Sequence, residues 1–274
     1  MPSHRNFTPA GIAHPRVRRF LDIKHNRGPR AATAIALEGL WAVRCAVHAS
    51  ITFEAVFVCP DLVRGDETTA ILDLLRAAGV PAFEVSERVL TRMVDRDGPD
   101  GLAAIAHIRR VRLDDVVVSP TTRILVADGF ELAGNLGTVI RCADGSGAAA
   151  VIVTSRQVRL THPLVMKASM GTMLSTTVID AERTDAADWL DRRRVRVVAA
   201  DPSADLSYRD ADLRGSVAIV VGSERHGLAP FWSDVADVTV SIPMRGVADS
   251  LNVGHAAALL LYEALHQAER EKQR

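Results

Sequence analysis

The sequence predicts an α/β protein: a C-terminal domain built on a parallel sheet, preceded by a small N-terminal α/β domain. Two observations carry the prediction. Five short apolar runs, 124–128, 149–154, 195–200, 217–221 and 238–242, read as strands buried on both faces, as parallel strands covered by helices are. Before them, about a hundred residues alternate between strand-like and helix-like patterns.

The elements follow in order. Residues 14–21 form a short helical pattern, followed by the basic turn 24–30 with its Gly28-Pro29 break. An apolar run at 31–37 ends in Glu38-Gly39. A helix is expected over 40–48, a strand over 53–59 and an amphipathic helix over 68–78, which Gly79 and Pro81 end. A strand at 82–85, a helical patch at 86–94 and an apolar run at 102–108 complete a first domain, residues 1–112. Residues 113–122 mix charge, Ser and Pro and read as a linker. The second domain, 123–274, carries the five strands with helices over 135–145 and 185–193. Its last helix opens at Ser250, with Asp249 or Ser250 as N-cap. Val253, Ala256, Ala257, Leu260, Leu261 and Leu265 then recur at helical spacing as a core-facing stripe.

Composition narrows the function. Hydrophobic residues at 48% and charged ones at 24% are an ordinary globular balance, and 33 cations match 33 anions, so no global field draws in nucleic acid. Residues 1–40 nevertheless hold seven Lys/Arg against two acids. Within that excess Arg16, Arg18, Lys24, Arg27 and Arg30 are candidate phosphate contacts, or else a solvated basic tail. Three widely spaced cysteines imply no disulfide framework, and no His/Cys spacing suits a metal. No signal pattern or membrane-length apolar run occurs, so a cytoplasmic location is expected.

Three strands end in loops of unusual content: Gly134-Asn135-Leu136-Gly137 through Arg141, Gly222-Ser223-Glu224-Arg225-His226-Gly227, and Ser250-Leu251-Asn252. Ligands of open α/β sheets bind outside the carboxyl ends of the strands, so the three loops are expected to meet at one site. Neither glycine loop matches GxGxxG or GxSxG, which argues against a dinucleotide-dependent oxidoreductase and a serine hydrolase. Glu224 between glycines wants a partner, and an arginine is the natural one. His226 reads as a base or a solvated loop residue, and Asn252 as a ligand contact or a cap.

Together the three loops resemble motifs 1, 2 and 3 of the SpoU/TrmH family, RNA ribose 2′-O-methyltransferases of the SPOUT class. The resemblance spans 122–268. It rests on Asn135-Leu-Gly-Thr-Val-Ile-Arg141, Val221-Gly-Ser-Glu-Arg-His-Gly-Leu228, and Ser241-Ile-Pro-Met-Arg-Gly246 with Ser250-Leu-Asn-Val253. More loosely, His14-Pro15-Arg16-Val17, Glu38-Gly39 and Asp100-Gly-Leu-Ala-Ala-Ile105 are similar to the family's substrate-binding domain, of the ribosomal L30e type. Ribosomal-RNA enzymes, antibiotic-resistance ones among them, carry that domain.

The resemblance implies a deep trefoil knot, S-adenosylmethionine as cofactor, and a homodimer whose site both subunits complete. It implies Asn135, Arg141, Glu224, Ser250 and Asn252 as catalytic residues, and Ala200, Gly222, Ile242 and Leu251 as cofactor contacts. The reaction implied is 2′-O-methylation of a ribose, in 23S ribosomal RNA before tRNA. A non-catalytic RNA-binding or ribosome-assembly factor on the same fold is the alternative. Arginine ionises above about pH 12, so Arg141 reads either as a base after phosphate binding or as a cation stabilising the forming alkoxide. The chain departs from the family pattern at Gly254-His255 and at Cys142, and Gly254 leaves room for close packing, expected at a dimer contact. Lys167-Ala-Ser-Met-Gly171 is similar to a family segment near the site.

Overall fold

A computed structural model describes residues 7–27, 33–95, 100–223 and 225–272. The chain divides into two compact units, 1–109 with 160–163, and 110–159 with 164–274.

The first unit runs β1 (Thr8–Pro9), α1 (Pro15–Lys24), β2 (Ala34–Glu38), α2 (Gly39–His48), β3 (Thr52–Val58), α3 (Asp66–Ala77), β4 (Ala82–Glu84), α4 (Glu87–Met93) and β5 (Leu102–His107). Its sheet has the order β1-β4-β3-β5-β2. β1, β4 and β3 run parallel, whereas β5 is antiparallel to both β3 and β2. Helix α1 starts where Pro15, which lacks an amide hydrogen, occupies the first turn. His14 Nδ1 accepts a bond from the Arg16 amide at 3.2 Å. Val17, Phe20 and Ile23, spaced by three, turn one face inward, and Phe20 meets Phe57 of β3 edge-on at 5.7 Å.

The second unit runs β6 (Arg123–Asp128), α5 (Ala133–Gly145), β7 (Ala150–Thr154), α6 (Pro163–Ala168), β8 (Val178–Ala181), α7 (Arg183–Arg192), β9 (Arg196–Ala200), β10 (Val217–Val221), α8 (Pro230–Val235), β11 (Val238–Val240) and α9 (Val253–Lys272). The sheet order is β11-β9-β10-β6-β7-β8, with every pairing parallel. β7 and β10 are buried along their whole length, as their unbroken apolar runs require. After β8 the chain crosses to the far side of β6, so the strand order reverses between β6 and β10. Crevices form at the carboxyl edge of such a reversal.

Several expected boundaries move. The last helix begins at Val253 rather than Ser250, because residues 250–252 stay in a loop. Its capping bond comes from Asn252, whose Oδ1 accepts from the Gly254 amide at 2.9 Å, in place of Asp249 or Ser250. The stretch 113–122, expected as a linker, is packed: Val116 is buried in the second unit's core, with Leu113 and Val118 against it. β8, α6 and α8 have no counterpart among the expected elements. No helix among the described residues is long and apolar enough to cross a membrane.

Candidate functional site

A cleft of about 600 Å³ opens at the carboxyl edge of the second sheet, within the range of small-molecule sites. Three strand ends, the loop into α9 and the start of α5 wall it. Behind β9 come Ala200, Asp201 and Pro202, and behind β10 come Val221, Gly222, Ser223, Gly227 and Leu228. Val240, Ile242 and Met244 follow from β11, and Asp249 to Val253 from the loop into α9. Leu132 and Asn135, at the start of α5, close the remaining side.

The β10 wall is a backbone turn. Ser223 and Gly227 exchange amide-to-carbonyl bonds at 3.0 and 2.9 Å, and the His226 amide donates to Ser223 Oγ at 3.0 Å. Gly227 sits at φ +67°, a conformation glycine adopts without strain. The turn folds back so tightly that a Cβ on Gly222 would lie 2.1 Å from the Gly227 carbonyl oxygen. Backbone therefore forms this wall. The β11 wall is also fastened by main chain: the Ser241 amide donates to Leu206 O at 2.8 Å, and the Tyr208 amide to Ser241 O at 2.9 Å.

Across the mouth, Asn252 Nδ2 donates to Asn135 Oδ1 at 3.2 Å, so the first and third sequence motifs touch. Ala200, Gly222, Ile242, Leu251 and Ser250 all line the same cleft. Arg141 does not. It lies six residues beyond Asn135 on α5, about 120° around the helix, and is exposed. Cys142 beside it is half-buried, and burial pushes its thiol above the ordinary range. Glu224 lies outside the described residues.

Among the described lining residues two are acidic, Asp201 and Asp249, and none is basic. Asp201 Oδ1 is held by the amide and hydroxyl of Ser203 at 2.8 and 2.6 Å. Sequence reasoning passed over Asp201 as a lining residue, although it stands directly after a strand, where the same carboxyl-edge rule applies.

In the first unit the expected phosphate contacts separate. Arg18 and Arg27 are exposed. Arg16 pairs with Glu54, which also takes a bidentate bond from Arg19 and lies 3.2 Å from His107 Nε2. The Arg19 hydrogen bond, more than any other contact, holds the Glu54 carboxyl below its usual range. Lys24 is not a free cation: its side chain is 5% exposed, and Nζ reaches Asp95 and the Met93 carbonyl, each at 2.7 Å. It ties α1 to the end of α4. Arg30 lies outside the described residues.

A helix-covered parallel sheet with a backbone-walled cleft of small-ligand size at its reversal point, two carboxylates among the described lining residues, marks the second unit as an α/β domain of the ligand-site type. The chain belongs to the SpoU rRNA Methylase family, whose model matches residues 122–262. The MRM3-like substrate binding domain matches residues 14–104. Over 234 residues the chain is 33% identical to the 23S rRNA (guanosine-2′-O-)-methyltransferase RlmB of Xylella fastidiosa, covering 81% of this chain and 94% of that one. Among solved structures it is similar to an RNA 2′-O ribose methyltransferase, with 38% identity, a TM-score of 0.77, and coverage of 96% and 99%. It is also similar to the SpoU methyltransferase AviRb from Streptomyces viridochromogenes in complex with AdoMet, with 25% identity, a TM-score of 0.83, and coverage of 92% and 97%.

Proposed function

We propose that this chain transfers a methyl group from S-adenosylmethionine to the 2′-hydroxyl of a ribose in 23S ribosomal RNA. The observation that carries the reading is the Asn135–Asn252 bond across a cleft walled by all three motif loops.

The cleft fits the donor on two counts. S-adenosylmethionine has a sulfonium and an ammonium against one carboxylate, and Asp201 and Asp249 face it with no opposing base among the described lining residues. A Cβ on Gly222 would strike the Gly227 and Leu228 backbone, so the tight turn that puts main chain along this wall requires glycine there. Gly222, Ile242 and Leu251 would hold the donor, with Ala200 at the end of β9. When bound, S-adenosylmethionine supplies an electrophilic methyl group. The chain's own part is to align a ribose hydroxyl with it, and alignment contributes much of such a rate. Asn135 and Glu224 orient the ribose and Arg141. Ser250 and Asn252 fix the loop beneath. Arg141 would stabilise the oxygen's developing charge as a cation, with the hydroxyl proton passing to solvent water.

Three further parts belong to the reading. The first unit, with exposed Arg18 and Arg27, binds the RNA, and its mixed sheet is of the L30e type. The segment 241–252 threads past 206–208 as a trefoil knot, supported by the main-chain bonds between Ser241 and Leu206 and Tyr208. Two chains pair through the second unit, where α9 leaves Leu259 and Tyr262 40% and 50% exposed.

Incubation with ribosomal RNA and methyl-labelled S-adenosylmethionine, then alkaline digestion, is expected to leave a labelled alkali-resistant dinucleotide. Arg141→Ala is expected to abolish it while keeping donor binding. No resistant dinucleotide from rRNA or tRNA overturns the activity, and elution as a clean 29.6 kDa monomer at micromolar concentration overturns the dimer.

A further inference from the structure

The first turn of α9 meets α5 at a point that admits no side chain. A Cβ on Gly254 would lie 2.6 Å from Thr138 Cγ2, 3.3 Å from Thr138 Cβ and 3.1 Å from Asn252 Oδ1. Carbon–carbon contacts settle near about 3.5–4.0 Å. Gly254 does not have a positive φ, so space alone requires glycine here. Its backbone is engaged twice: the amide donates to Asn252 Oδ1 at 2.9 Å, and the carbonyl accepts from Cys142 Sγ at 3.6 Å. The other end of Asn252 donates to Asn135. The contacts close a ring, from Thr138 and Cys142 on α5 through Gly254 and Asn252 to Asn135, back on α5. The close packing expected at a dimer contact is thus taken up within one chain.

We infer that the Gly254–Thr138 contact is a positioning device for the methyl-donor cleft. It sets how deeply the first turn of α9 sits on α5, and so where Leu251 and Asn252 stand in the cleft wall. The inference rests on the donor reading above. An alanine at 254 forces the turn outward by about an ångström to restore ordinary contact. Asn252 cannot then keep both of its bonds. A glycine serving stability alone would leave donor affinity unchanged in folded protein.

Thr138→Ser provides the control. It deletes Cγ2, the atom in the way, and keeps the hydroxyl that donates to the Gly134 carbonyl at 2.9 Å. Wild type, G254A, T138S and the double variant are titrated with S-adenosylmethionine by calorimetry, and exchange of the residue 254 amide is followed by mass spectrometry or NMR. G254A is expected to bind about tenfold more weakly or worse, with faster exchange at 254. T138S loosens the same contact and serves as the reference for the double variant, which is expected to bind within about threefold of T138S and well above G254A. Wild-type affinity in G254A, or a double variant as weak as G254A, overturns the inference. If G254A is insoluble, recovery of soluble, donor-binding protein in the double variant supports it, and continued insolubility overturns it. If the wild-type protein binds no donor, the methyltransferase reading falls. The amide then decides alone: faster exchange in G254A that T138S reverses supports the positioning contact, and no reversal overturns it.

Discussion

Replacing Gly222 by alanine tests the cleft with a single methyl group. Its Cβ would stand 2.1 Å from Gly227 O, 2.3 Å from Gly227 C and 2.4 Å from Leu228 N, all backbone atoms that no rotamer change can move aside. Gly222 does not have a positive φ, so the substitution introduces crowding and no backbone strain. Relief requires the Ser223–Gly227 turn to open, at the expense of its two main-chain bonds. Over-packing costs about 1–3 kcal/mol and each lost bond about 0.5–1.5, so the folded turn loses about 2–6 kcal/mol. Domain stabilities lie near about 5–15 kcal/mol. The protein is therefore expected to stay folded with its turn displaced. Urea unfolding followed by circular dichroism measures the first quantity, and calorimetric titration with S-adenosylmethionine the second. Donor affinity is expected to fall by more than about tenfold, since every 1.4 kcal/mol or so is one decade. A folded G222A protein with wild-type donor affinity would refute the assignment of this wall to the donor.

Two other perturbations read the surrounding structure. Asp128, 2% exposed at the end of β6, accepts from Arg183 Nε and Nη2 at 2.7 and 3.0 Å and from Thr154 Oγ1 at 2.7 Å. Arg183→Ala strands that carboxylate with one donor. Breaking a buried pair costs about 3–5 kcal/mol, and because the Arg183 side chain is 36% exposed, solvent screening brings the expectation to about 2–3. The urea midpoint should drop with an unchanged slope, and a loss below about 0.5 kcal/mol counts against the pair. Glu54 gives a pH dependence. Its folded pKa is depressed, chiefly by Arg19, so its contribution is present above the unfolded value near about 4.3 and is lost as pH falls through the lower folded value. Glu54→Gln should be less stable than wild type at pH 7, with the gap closing below about pH 4. A gap of constant size across the acid range would show that Glu54 does not act through its charge.

The parts of the fold legible in the sequence are those where one physical signal dominates. β7 and β10 are unbroken apolar runs because both faces are covered, and α5 and α9 show helical spacing because one stripe faces the sheet. Short elements carry too few residues for periodicity to register, which is why β8 and the six-residue α6 and α8 were not anticipated. Asp249 and Ser250 are good caps by type, so the sequence predicts a start for α9 three residues before the observed one. Residues 250–252 instead stay in a loop that lines the cleft, and capping falls to Asn252, which thereby serves both readings, cap and site residue. Lys24 shows a limit of another kind. Its partners, Asp95 and the Met93 carbonyl, lie about seventy residues away in sequence, so composition counted a structural tie as an available cation. Gly254 reads in the sequence as room for close packing at a dimer contact, but its reason is Thr138, more than a hundred positions earlier in the same chain.

Donor and acceptor functions divide differently over this architecture. The described part of the proposed donor site lies within one chain: three strand ends, a backbone turn and two carboxylates, with the first and third motif loops joined at Asn135–Asn252. The cation assigned to the acceptor oxygen is not in it. Arg141 is carried on the same helix as Asn135 but about a third of a turn away from it, exposed to solvent. No rotamer change alters the face of α5 from which that side chain departs. In the proposed dimer a second chain is therefore asked to bring a guanidinium to the cleft. Donor binding is then a property of each second unit alone, whereas turnover depends on two chains meeting. That division gives a physical reason for α9 to keep Leu259 and Tyr262 exposed beside a helix whose other face is fully packed.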